Sequence, residues 1–276
     1  MSVWHGPEWP EPRPLGLLGW GLALGRTLLV GLVIYGLLIP LVLVRLVEAI
    51  FGRFPISPLI VQLACKISVA IIGIRVTTEG RPMRHRGAVV ANHSSWFDII
   101  VMNSVQRVLF VAKAEVRKWP VIGFMAAGVG TVFIERRASH AKHHQTLFEK
   151  RLLDGHRLLF FPEGTSSDSR RVLPFKSTLF QAFFAEDLVD TMWIQPVSAI
   201  YTAPKGEDAR FYGWWGDMPF LNSFLQIFGT RHPGSVRFVF HHPVAVSDFD
   251  NRKALTDHCY KLVNDGLLTR LPSDQS

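Results

Sequence analysis

The stretch GAVVANHSSWFDII, residues 87–100, decides how this chain is read. Its opening GAVVA is a short apolar run closed by Asn92, the signature of a buried strand. A second apolar run follows, and Ser94 or Ser95 is placed to cap it as a helix. Between strand and helix the chain sets two ionisable side chains, His93 and Asp98, five positions apart.

Working outward, short β-rich runs alternate with helical or turn-rich pieces from Gly73 onward. Candidate strands are IRVTTEG, GAVVAN, RVLFVAK, GTVFIE, RLLFFP, WIQPVSAI and SVRFVFHHP. Helices are expected from near Ser94, His140 and Phe175, with a last one from Arg252 to about Arg270. Strands separated by helices rather than tight turns pair in parallel, so the fold class is α/β, with a mixed, partly parallel sheet flanked by helices. Ligands in such sheets sit outside the carboxyl ends of the strands. His93 with Asp98, Lys113, Arg136, and Glu163 with Gly164 and Thr165 all fall there.

In the other direction lies an apolar N-terminus. Thr27 to Val44 is eighteen residues without a charge, bracketed by Arg26 and Arg45, long enough for a transmembrane helix candidate. Pro40 is expected to kink it. A second apolar stretch, Ile56 to Ile74, carries Lys66 near its middle, which favours an interfacial or re-entrant helix. Residues 1–72 are therefore read as a tail with hydrophobic membrane-anchoring helices and 73–276 as one α/β domain. The glycines of GWGLALG follow no strand and are not a dinucleotide loop.

Composition sets the partner class. Hydrophobic residues make up 48% of 276, and the formal net charge is +8; mean hydropathy is +0.20. A basic surface suits nucleic acid or anionic lipid, and the hydropathy decides for a lipid bilayer. No groove-reading motif marks a nucleic-acid protein. Cys65 and Cys259 form no C-x-x-C pair, which argues against a disulfide framework or a zinc site. His140, His143 and His144 share helical spacing but have no carboxylate or cysteine to complete a metal site, and read as a basic face.

Asp98 folded back over its helix N-terminus accepts a hydrogen bond from one ring nitrogen of His93 and leaves the other free as a base. The serines resemble caps rather than nucleophiles, so the nucleophile is expected to arrive with the substrate as an alcohol. Taken alone, a histidine and aspartate at this spacing is more often a plain loop residue beside an ordinary helix charge. FFPEGTSSDS after the strand at Arg157 to Phe161 adds a second site loop: Gly164 can adopt positive φ and turn backbone N–H groups towards an anion, and Glu163 can position an amine or the acceptor hydroxyl. A simple β-turn reads equally well there.

With both stretches in view the chain resembles the glycerolipid acyltransferase family, specifically the lysophosphatidate acyltransferases and their relatives. NHSSWFD matches the block N-H-x-S-x-x-D, and FPEGT matches a block of the same sequence. AKAEVRKWPVIGFMAAGVGTVFIER resembles the block between them, with Lys113 and Arg136 in matching places, and IQPVSAI puts Pro196 at the proline of the fourth. The resemblance implies His93 as general base and Asp98 as its orienting partner. The acceptor hydroxyl would attack the thioester of acyl-CoA or acyl-carrier protein, with no cofactor, no metal and no covalent enzyme intermediate. It implies Arg136 on the acceptor's anionic head, with Glu163, Gly164 and Thr165 completing that pocket. The N-terminal helices would be a membrane anchor and the active domain would face the cytoplasm at the inner membrane.

The acceptor implied first is 1-acyl-sn-glycerol-3-phosphate, giving phosphatidic acid. Ser166 stands where the family often has an arginine, which removes one charge that could face a phosphate. The alternative acceptor is lyso-ornithine lipid, whose head bears an ammonium and a carboxylate. From a different class, a non-catalytic lipid-binding membrane protein would keep the fold and basic face, but an intact His93 and Asp98 argue against it. No G-x-S-x-G elbow supports a lipase.

Overall fold

The computed structural model describes residues 4–51, 56–114, 117, 131–134 and 151–271. In chain order the elements are α1 (Leu17–Phe51), α2 (Ser57–Ile72), β1 (Arg75–Glu79), β2 (Gly87–Ala91), α3 (Asp98–Val105), β3 (Leu109–Lys113), β4 (Val132–Ile134) and β5 (Leu158–Phe160). A 3-10 helix (Ser177–Phe184), β6 (Trp193–Thr202), α4 (Phe220–Gly229), β7 (Ser235–Phe240), β8 (Val244–Ala245), a single 3-10 turn (Val246–Asp248) and α5 (Arg252–Leu268) complete them.

The strands form one sheet in the order β1-β7-β6-β2-β5-β3-β4, with β8 beside β6. β6, β2, β5, β3 and β4 run parallel, and β1 pairs parallel with β7. The sheet turns antiparallel between β6 and β7 and again between β6 and β8. The partly parallel sheet expected from the sequence is therefore present. β2 lies between β5 and β6, so every residue of GAVVA is buried, which is why the segment is continuously apolar rather than alternating. Its pleat still divides it: Val89 and Ala91 join the core beneath α2, α3 and α4, whereas Ala88 and Val90 join the core beneath the 3-10 helix and α5. Gly87 opens the strand at φ 139°, where a Cβ would lie 1.8 Å from the Trp193 carbonyl oxygen.

Local chemistry explains where the elements differ from expectation. Neither Ser94 nor Ser95 caps α3, which starts at Asp98 with no side-chain cap; Ser95 Oγ instead accepts from the Phe97 N–H at 3.2 Å. The helix expected from Phe175 is a 3-10 helix from Ser177. The one expected near His140 begins outside the described residues, as do His140, His143 and His144 themselves. α4 was not expected, and β8 carried too short a signal to be expected.

α1 is longer than the uncharged stretch within it and continues through Pro40. It is long and apolar enough to cross a membrane, and Leu24, Leu28, Leu32, Ile39 and Leu43 are exposed on it. α2 packs beside it, exposes Lys66, and ends where Gly73 turns at φ 85°. α1 packs on α4 of the α/β domain. Arg26 donates to the Phe228 and Thr230 carbonyls that end α4, at 2.9 and 2.6 Å. Towards the other end of α1, the charges of Glu48 and Arg45 act on His156, whose imidazole burial holds below its usual value.

At the carboxyl edge of β2, buried Asn92 bridges to β6. Its amide donates to the Ala199 carbonyl at 2.9 Å and accepts from the Ala199 N–H at 2.7 Å. Asn92→Ala leaves both buried backbone groups unpaired at a cost of about 2–3 kcal/mol. Thermal unfolding in detergent should show Tm lowered by roughly 4–10 °C; a shift within one degree would remove Asn92 as the bridge.

Candidate active site

The parallel pairing of β2 with β5 places the two loops that the sequence singled out side by side. Val90 is in register with Phe160, so the chain leaves both strands at the same edge, into His93 on one side and Glu163 on the other. The geometry at that edge is tight. His93 Nδ1 lies 2.8 Å from Asp98 Oδ2. The same oxygen accepts the Ser94 and Ser95 backbone N–H groups at 2.7 and 3.0 Å. Tyr201 donates its hydroxyl to the other oxygen, Asp98 Oδ1, at 2.6 Å. Asp98, not a serine, thus satisfies the turn that leads into α3.

An oxygen that already accepts two backbone N–H groups has no proton to offer, so Nδ1 of His93 carries the hydrogen and Nε2 keeps its lone pair. The ring is held face to face with Phe161, with centroids 4.0 Å apart and planes at 6°. Asp98 is 2% exposed and His93 20% exposed, so the carboxylate is sealed while the imidazole still meets the surface. An imidazole held in this way has a fixed tautomer and an open side. The two serine hydroxyls do not compete with it: Ser94 and Ser95 are fully buried.

Glu163 is 1% exposed. One of its oxygens accepts the His93 N–H at 2.6 Å and the other accepts the Leu173 N–H at 2.7 Å. Both oxygens are thus committed to backbone, and Glu163 braces the histidine loop instead of pointing at an amine or a hydroxyl. Burial drives its carboxyl well above the ordinary glutamate value, against the pull of these two donors. Gly164 has the expected positive φ, 72°, but its own N–H closes a turn onto the Phe161 carbonyl at 3.0 Å. Thr165 is half-buried beside it.

The rest of the loop closes over the histidine. The Ser167 N–H donates to the His93 carbonyl at 2.9 Å, and the Trp214 N–H to the Ser94 carbonyl at 2.9 Å. Ser166 turns its hydroxyl inward onto the Trp214 carbonyl. Asp168 accepts from the Arg170 N–H and the Arg171 guanidinium at 3.0 and 2.9 Å. Trp215 is buried, packs on Trp4 and donates to the Pro7 carbonyl.

Lys113 ends β3, the strand beside β5, at the same sheet edge. Arg136 lies outside the described residues. Pro196 is buried inside β6 opposite Val90, behind the edge where His93 sits. Sequence reasoning passed over Asn92, Phe161 and Tyr201. Asn92 and Phe161 open the two quoted motifs but were given no role there, whereas Tyr201 is 103 residues from Asp98 and leaves no local trace.

Comparison with known proteins gives these loops a setting. The family described as Acyltransferase matches residues 73–199. A lyso-ornithine lipid O-acyltransferase of Rhodobacter capsulatus is 49% identical over 268 residues, spanning 96% of this chain and 97% of that protein. A 1-acyl-sn-glycerol-3-phosphate acyltransferase of Neisseria gonorrhoeae is 41% identical over 116 residues, 40% of this chain and 44% of that protein. In fold, the chain is similar to the crystal structure of the 1-acyl-sn-glycerophosphate (LPA) acyltransferase PlsC from Thermotoga maritima, with a TM-score of 0.64, coverage of 93% and 98%, and 23% identity.

The raised Glu163 value fixes a sign. Its folded state prefers the neutral carboxyl, so its favourable contribution is complete below the ordinary value of 4.5 and is lost as pH rises through the folded value. Between about pH 4.5 and neutrality the stability of the native chain should fall more steeply than that of Glu163→Gln, read from denaturant unfolding at each pH. Parallel curves would contradict this.

Proposed function

The chain belongs to the acyltransferase family and acts on lysolipids, and on that premise we propose that it is a lyso-ornithine lipid O-acyltransferase. Two observations support this acceptor over lysophosphatidate, which the sequence motifs put first. The Rhodobacter capsulatus relative matches almost the whole of both chains, whereas the Neisseria relative matches under half of each. Ser166, which stands where a phosphate-facing arginine is frequent in the family, is tied inward to the Trp214 carbonyl and offers no charge.

The observation that carries the chemistry is the His93–Asp98 contact. His93 Nε2 takes the proton of the acceptor hydroxyl as its oxygen attacks the carbonyl of an acyl thioester, from acyl-CoA or acyl-carrier protein. The C–O bond forms, the tetrahedral intermediate collapses, and the C–S bond breaks. The thiolate leaves and recovers the proton from the imidazolium, whose positive charge the Asp98 carboxylate offsets meanwhile. The buried serines make no acyl-enzyme, and the steps described need no cofactor. By the motif resemblance, Lys113 and Arg136 supply positive charge for the acceptor's carboxylate.

The N-terminal helices hold the enzyme on the cytoplasmic face of the inner membrane, where acyl-CoA and acyl-carrier protein are found. The Arg26 hydrogen bonds to the end of α4 tie α1 to the α/β domain and favour a helix lying along one leaflet. A wash in high salt should leave the protein in the membrane fraction and detergent should release it; release by salt alone would contradict the anchor.

The deciding experiment gives purified enzyme a labelled acyl donor with lyso-ornithine lipid or with lysophosphatidate. The expected kcat/KM for lyso-ornithine lipid is at least about ten-fold higher, and the reverse order would restore the lysophosphatidate reading. His93→Ala and Asp98→Asn should each lower kcat roughly 10²- to 10⁴-fold while vesicle binding stays intact. Loss of vesicle binding without loss of turnover would overturn the assignment.

A further inference from the structure

We propose that Tyr201 is a positioning residue for acyl transfer, whose phenol holds Asp98 from behind so that the opposite carboxylate oxygen stays aimed at His93. The inference rests on the reading of His93 as the base.

The three donors on Asp98 Oδ2, from His93, Ser94 and Ser95, all belong to one short loop. They fix one oxygen but leave the carboxylate free to rotate about it. Rotation is stopped at Oδ1 by Tyr201, at 2.6 Å, from the far end of β6. Among the described residues no other hydrogen bond to Oδ1 is seen. Asp98 is 2% exposed, so bulk solvent does not reach that oxygen. Without Tyr201 a buried carboxylate oxygen would lack a donor and turn to find one, taking Oδ2 off the line to Nδ1.

Tyr201 is itself immobilised. It is 1% exposed and stacks on Tyr212 with centroids 5.0 Å apart. The Tyr212 hydroxyl accepts the Gly234 N–H at 3.1 Å, and its ring stacks on Phe97, the residue before Asp98. The clamp therefore joins β6 to the first turn of α3 through packed aromatic rings. Burial pushes the phenol well above its ordinary value, so it remains a donor throughout the working range of an imidazole base.

The test compares Tyr201→Phe with Tyr212→Phe, which removes a hydroxyl from the same aromatic stack without touching Asp98. In Tyr201→Phe, kcat should fall roughly ten-fold with the acceptor KM unchanged. The acid limb of its kcat/KM profile should move to lower pH, because a carboxylate turned off the line to Nδ1 stabilises the imidazolium less. Tyr212→Phe should move neither. Incorporation of 3-fluorotyrosine at position 201, a stronger donor on an almost unchanged ring, should move the limb to lower pH and gives an answer even where Tyr201→Phe fails to fold. An unmoved limb in both altered proteins, or the same changes in Tyr212→Phe, would overturn the positioning role. Full turnover in His93→Ala would overturn it together with the base assignment. Loss in His93→Ala with an unmoved limb at position 201 would overturn the positioning role alone.

Discussion

A single carboxylate organises this site. Asp98 receives two backbone N–H groups, an imidazole and a phenol on its two oxygens. Burying a carboxylate is costly unless its lone pairs are occupied, and here each donor that satisfies it also fixes something the chemistry needs. The backbone donors shape the turn before α3, and the imidazole donor sets the tautomer of His93. Taking the turn's hydrogen bonds away from Ser94 and Ser95 side chains is what leaves those serines buried and the histidine as the exposed group.

A second carboxylate works on a different level. Glu163 joins the loop after β5 to the loop after β2 by accepting from the His93 and Leu173 N–H groups. The parallel neighbours β2 and β5 bring the loops together, and Glu163 fixes their spacing. Phe161, leaving β5 at that edge, supplies the flat wall against the His93 ring. The two motifs are thus halves of one construction: the first carries His93, and the second holds it in place. The Ser167 N–H on the His93 carbonyl adds a further tie across the same seam.

Much of this was legible in the chain. GAVVA and RLLFFP announced buried strands, and the His93–Asp98 spacing announced a hydrogen bond between the side chains, because each is a local property read over a few residues. What failed to show was non-local or depended on competition between donors. Ser94 and Ser95 look like caps, and only the folded turn reveals that Asp98 outcompetes them. Glu163 looks like a ligand residue until its partners, one of them His93 itself, are seen to be backbone. Tyr201 reads as one more core residue of β6, because only the β6–β2 pairing sets it behind α3. α4 was hidden for another reason: its apolar residues follow the aromatic run around Trp214 and Trp215, and its cap is a proline with no side-chain hydrogen bond.

The central claim is that Asp98 holds His93 in the tautomer that protonates Nδ1 and frees Nε2. Nitrogen-15 NMR of histidine-labelled protein in detergent, with the His93 signals assigned by loss in His93→Ala, reads this directly. The account predicts a proton on Nδ1, shifted downfield by a short hydrogen bond and lost from that position in Asp98→Asn, with Nε2 unprotonated. A proton on Nε2 in the native chain, or an Nδ1 signal indifferent to Asp98→Asn, would contradict it.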